Sequence, residues 1–186
     1  MNETGRGLTR VWWVLISAIE LWLATILATI VIRWYNENPV TNTRDDTIES
    51  SFWKKSIEER RCLVPVSSFA EPEDGKPMQW HWYGLEGDEP RPLFAFAGIW
   101  RKRKGPVKKD GPTLEIETYS FMTTAANAWT EAIHHDRLPV LLATTEDQDA
   151  WLQGKPGEWE RLLKPFPPDR MREVQVGLDK VDLMKV

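Results

Sequence analysis

Apolar positions along this chain follow more than one rhythm. Residues 11–32, VWWVLISAIELWLATILATIVI, are apolar on every face, with Glu20 as the single charge. A run of that length is long enough to cross a bilayer as a helix. Its twelve Ile, Leu and Val residues contribute roughly −4 to −7 kcal/mol on the insertion scale, against about +3 for a central carboxylate. The balance favours insertion, with Trp12, Trp13, Trp34 and Tyr35 near the two interfaces. Residues 36–39, NENP, break that helix.

Beyond the break the pattern changes. Residues 49–61 predict a short amphipathic helix, capped by Ser50 or Ser51, with Lys54/Glu58 and Lys55/Glu59 spaced for surface ion pairs. Strands are expected at 62–66, 78–85, 93–100, 113–123, 138–142 and 172–176, where β-branched and aromatic residues cluster between turn residues. Residues 101–112 read as a long basic hairpin tip, with six Lys and Arg against Asp110. Helices are expected at 125–133, at 146–153 with Thr145 as cap and Gly154 as stop, and as a turn at 158–163. Many strands with scattered short helices predict an α+β domain built round a curved sheet or barrel.

Composition narrows the function classes. With 186 residues, 41% hydrophobic and 28% charged, the chain can bury a core and is not a disordered segment. The net charge of −4 gives no global reason to bind nucleic acid, so any DNA site must be a local patch. Eleven tryptophans read chiefly as packing. The single Cys62 excludes an internal disulfide and a cysteine-rich zinc site. His81, His134 and His135 lack the i, i+4 spacing of helical metal ligands, so neither a metal nor a cofactor is expected.

Candidate chemistry sits at a few places. His135 lies between an expected helix and strand, where an imidazole can exchange protons near neutral pH. Glu71 follows an apolar strand and would sit at its mouth, where partial desolvation raises a carboxyl toward general-acid range. Asn42 and Arg44 are two apart and share a face if extended, which suits a phosphate or sugar oxygen. Their simpler reading is turn chemistry and a surface ion pair of Arg44 with Asp45 or Asp46. Arg101, Lys102, Arg103 and Lys104 could hold a DNA backbone, or be a solvated surface.

Taken together, T-N-T-R (41–44), R-C-L-V-P-V-S-S-F-A-E (61–71), F-A-G-I-W (96–100), T-T-A-A-N (123–127) and I-H-H-D-R-L-P-V (133–140) resemble, in order and spacing, the SOS response-associated peptidase (SRAP) family of abasic-site processing proteins. The resemblance covers residues 39–178, leaving 1–38 as a divergent segment with the membrane candidate and 179–186 as a tail. It implies a barrel-like β core with peripheral short helices, here preceded by the hydrophobic helix. It also implies a monomer that binds single-stranded DNA and links covalently to an abasic aldehyde through a thiazolidine on an N-terminal cysteine. By that resemblance Asn42 positions the N-terminal residue or the sugar, and Arg44 holds a flanking phosphate. Glu71 assists proton transfer, and His135 stabilises or protonates the sugar oxygen. The implied location is the cytoplasm at the nucleoid, or a membrane if 11–32 inserts.

One departure stands out. The second residue is Asn2, and Cys62 is internal, so the peptidase and cross-linking (lyase) activities are expected to be lost or impaired. The alternatives are a membrane-anchored, catalytically silent binding module and a fragment without independent function.

Overall fold

The computed structural model describes residues 42–88, 91–106 and 111–183. The segment 1–38, expected to be divergent, and its apolar run at 11–32 lie outside these, as do Lys108 and Lys109. Among the described residues no helix is long and apolar enough to cross a membrane.

The main sheet is mixed and curls into a half-barrel. Its path runs β1 (Asn42–Arg44), β6 (Thr113–Ala125), β5 (Phe94–Pro106) and β2 (Arg61–Val66), with β7 (Arg137–Pro139) on β6 and β8 (Leu141–Leu142) on β5. A second sheet orders β3 (Phe69–Glu73), β4 (Gln79–Leu85) and β9 (Met171–Gly177). Three short helices, α1 (Lys54–Glu59), α2 (Ala128–Ala132) and α3 (Thr145–Gln153), are the described α elements. This is the α+β architecture that the sequence predicts.

Strand β5 organises the core because both faces of its first half, residues 94–99, are buried. Side chains alternate across a strand, so Phe94 and Phe96 enter one cluster with Phe69, Tyr83, Leu85, Leu138 and Met171. Ala97 and Ile99 enter the other with Trp53, Ile57, Met122, Val140, Trp151 and Trp159. Between them, Gly98 is required by close approach: a Cβ there would lie 2.9 Å from both Cys62 Sγ and Val64 Cγ2.

Arg61 shows why helices this short persist. Its guanidinium donates to the carbonyls of Ile57 at 2.8 Å, Trp151 at 2.5 Å and Gly154 at 2.9 Å, and it lies over the Trp159 ring at 5.4 Å. Helix ends leave carbonyls without partners, and one cation closes the ends of both α1 and α3.

Several elements differ from the sequence expectation. Helix α1 begins at Lys54 with no side-chain cap from Trp53, and Lys54 pairs with Glu49 rather than Glu58. Helix α2 starts at Ala128 because Asn127 caps it, and α3 is capped by Thr144 rather than Thr145. The expected strand 138–142 is two strands that pair with different partners, β6 and β5. Strand β5 does not stop at Trp100 but pairs with β6 out to Pro106, so Arg101 to Lys104 belong to a strand rather than to a basic tip.

Candidate active site

Glu71 and His135 come together from elements distant in the chain. Glu71 lies within β3 rather than at the mouth of a strand. His135 follows α2. That helix begins in a capping box, with Asn127 Oδ1 accepting from the Trp129 and Thr130 amides. It ends where His134 adopts a left-handed φ of 63°. The His135 amide then reaches back to Thr130 O at 2.9 Å and the His134 amide to Glu131 O at 3.0 Å, a Schellman ending with histidine where glycine is usual. This turn aims His135 at β3.

The contacts assign the tautomer. His135 Nε2 lies 2.6 Å from the Pro72 carbonyl oxygen, which can only accept, so Nε2 carries a proton. The remaining nitrogen, Nδ1, stands 3.5 Å from Glu71 Oε2. Burial pushes the Glu71 carboxyl above its ordinary range, and the neighbouring His135 partly offsets this. A carboxyl that holds its proton more tightly, beside one free imidazole nitrogen, is an acid–base pair.

Asn42 and Arg44 are exposed on β1, either side of Thr43, which is fully buried and donates to Ser120 Oγ at 3.0 Å. The Asn42 side chain makes no hydrogen bond among the described residues. Arg44 meets Asp46 through Nε at 3.0 Å and Nη2 at 2.6 Å, the surface pair the sequence offered as its simpler reading. That hydrogen bond also holds the Asp46 carboxyl below its usual range.

The four basic residues of β5 divide between two faces. Asn42 pairs with Phe121 and Phe121 with Gly98, so alternation puts Trp100, Lys102 and Lys104 on the Asn42 face. Arg101 points the other way, 4.0 Å above the Phe52 ring. Arg103, on that same opposite face, donates to the Pro106 carbonyl at 3.1 Å. Lys102 is opposed by Glu115 at 3.7 Å and Glu117 at 3.9 Å, so this face is charge-balanced and carries an exposed Tyr119.

In the sequence Arg137 stands only as part of the 133–140 motif. In the structure it binds Asp45 Oδ1 at 2.5 Å and the Thr123 carbonyl at 2.5 Å, while Thr124 Oγ1 donates to Asp45 Oδ2 at 3.0 Å. Asp45 follows Arg44 and Arg137 lies two residues past His135, so this pair ties the Asn42 strand to the His135 turn. The nearness of both partners to motif residues was the only signal for it.

The family model for SOS response associated peptidase (SRAP) matches residues 14–181. The abasic site processing protein YoqW of Bacillus subtilis is 35% identical over 145 residues, covering 73% of this chain and 59% of its own length. YobE of the same organism, also named an abasic site processing protein, is 33% identical over 148 residues, covering 73% of this chain and 60% of its own. The chain thus spans about three fifths of the length of these relatives. An X-ray structure of a Bacteroides thetaiotaomicron protein superposes with a TM-score of 0.57 at 31% identity, covering 70% of this chain and 56% of that one. The chain belongs to the SOS response associated peptidase (SRAP) family.

Proposed function

We propose that this domain binds single-stranded DNA at abasic sites and that Glu71 and His135 exchange protons with the sugar. The observation that carries this is the pair itself: His135 has its Nε2 proton fixed on Pro72 and its Nδ1 turned to a carboxyl of raised proton affinity. An abasic sugar opens from hemiacetal to aldehyde by losing a proton at one oxygen and gaining one at another. One group must take and one must give. Asn42, whose side chain makes no hydrogen bond among the described residues, orients the sugar, and Arg44 meets a flanking phosphate by giving up Asp46. Lys102 and Lys104 extend the track on the same face, and the exposed Tyr119 supplies a surface for a base to stack on. The names of YoqW and YobE support this reading.

A thiazolidine needs an amine and a thiol on one residue. Cys62 has its nitrogen in a peptide bond of β2, and burial pushes its thiol up. Among the described residues none combines the two, and for them the proposal is binding without a covalent link. The protein acts as a monomer where the DNA is, in the cytoplasm at the nucleoid.

The test compares an abasic with an intact single-stranded oligonucleotide on the 186-residue chain. Tighter, salt-dependent binding to the abasic strand that dissolves on denaturation is expected. Equal affinity for both strands overturns the site assignment, and an adduct that survives denaturation overturns the non-covalent part. The apolar run at 11–32 favours a second reading, a membrane-held domain, which resistance to carbonate extraction supports and release into the soluble fraction refutes.

A further inference from the structure

Beside the Glu71–His135 pair lies a second titratable group that the reaction above does not use. His81, on β4, is held from both sides: Nδ1 is 2.5 Å from Glu173 Oε1 on β9, and Nε2 is 3.0 Å from Glu73 Oε2 on β3. An ionised carboxylate only accepts, so each ring nitrogen must donate and the ring must be an imidazolium. Neither nitrogen keeps a lone pair, and among the described residues no group of His, Cys, Asp and Glu is arranged to hold a metal ion.

We propose that Glu73, His81 and Glu173 form a charged clamp across the second sheet that fixes the strand bearing Glu71, making His81 a positioning residue for the site. The argument is mechanical first. Strand β3 is an edge of a three-stranded sheet, and three successive residues of it are the contacts in question. Glu71 faces His135 Nδ1, Pro72 offers its carbonyl to His135 Nε2, and Glu73 is gripped by His81. One histidine holds β3 from the α2 side and the other from β4. Losing His81 frees the outer end of an edge strand whose middle residue must keep a 3.5 Å distance to His135.

Electrostatics adds to it. Glu71 is the register partner of His81, so the two share a face. The charged and titratable groups on that face are Glu71 and Glu73 from β3, Tyr83 from β4 and Glu173 from β9, with His135 meeting Glu71 from the end of α2. Tyr83 stacks on the His81 ring with centroids 6.4 Å apart. His81 is the cation between two of the three carboxylates. Burial works against its charge, yet the hydrogen bonds it donates to Glu173 and Glu73 prevail and raise its proton affinity.

This proposal takes Glu71 as a working residue and so rests on the function proposed above, but its test needs no DNA. Side-chain NMR of the full chain should show His81 protonated on both nitrogens at pH 7, with a titration midpoint above 6.5. A neutral tautomer at pH 7 overturns the clamp. In His81→Gln the Glu71 carboxyl should titrate at higher pH than in the native chain, since two carboxylates lose their cation; an unchanged midpoint overturns the positioning role. Should that variant fail to fold, Glu173→Gln keeps the Glu73 contact and should lower the His81 midpoint, and no change there is equally fatal. Failure to bind abasic DNA with these shifts intact counts against the function and not against the clamp.

Discussion

Arg44 meets its neighbour Asp46 with two hydrogen bonds, at 2.6 and 3.0 Å, so a phosphate must compete for it. Exposed ion pairs of this kind contribute little and are readily exchanged. Asp46→Asn should therefore tighten binding of a single-stranded oligonucleotide roughly two- to five-fold. Arg44→Ala should weaken it and lower the slope of log affinity against log salt by about 1. Anisotropy titrations across a salt series read both, and an unchanged slope removes Arg44 from the phosphate track. Glu71 makes a prediction of its own. Its carboxyl is raised in the folded state by burial, so the folded protein binds that proton more tightly than the unfolded chain does. Stability from this group is then fully present below pH 4.5, the ordinary value, and is lost as pH rises through the folded value. Glu71→Gln carries no charge to bury, so its Tm should exceed that of the native protein at pH 7, and the gap should close near pH 4. A constant gap across that range would mean that the carboxylate is not desolvated. The motifs single out Glu71, His135, Asn42 and Arg44 as candidates. Among partners, Asp46 was also offered by the sequence, as the neighbour of Arg44, whereas the Pro72 carbonyl meets His135 only through chain geometry.

At the scale of elements, α2 spans five residues, too few to persist on propensity alone. Its two ends do the holding. Asn127 caps the start and sends Nδ2 to the Phe166 carbonyl at 2.8 Å, while His134 closes the end in a left-handed conformation. Asn127→Ala should destabilise the fold by about 2 kcal/mol, combining a lost cap with a buried carbonyl left without its donor. His134→Gly should do the opposite, gaining up to about 1 kcal/mol by relieving the left-handed residue, while His135 keeps its place. Urea midpoints of the two variants on either side of the native value would bear this out; a His134→Gly midpoint below it would not. Apolar spacing started this helix too early, at residue 125, because periodicity cannot see which polar residue turns back to cap. The β5–β6 arm was misread for a related reason. Its outer part has solvent-exposed charges on alternate positions rather than an apolar face, so clustered Lys and Arg looked like a loop. In the fold, Lys102 sits opposite Glu117 and the ladder continues to Pro106.

For the whole molecule, the joint that matters is Asp45 with Arg137, which fastens β1 to β7 across a sequence separation of 92 residues. Both side chains are largely buried, at 25% and 21% exposure. Charge-assisted hydrogen bonds in such settings contribute about 1.5–3 kcal/mol. Arg137→Ala should therefore cost about 2 kcal/mol, and Asp45→Ala should add little to it in the double variant, because the two residues act on each other. Full additivity of the two losses, read from denaturant unfolding, would show that they are independent. The sequence by itself determined the family and the α+β class. Those depend on residue identity, order and local alternation, which the chain carries in linear form. Only the tertiary structure decided that Glu71 lies inside a strand, that Arg101 and Arg103 turn away from Asn42 while Lys102 and Lys104 do not, and that His81 sits between two carboxylates. Each of these is a matter of register. A strand's face is set by which residue its neighbour places opposite it, and that choice is made by the packing of the whole core.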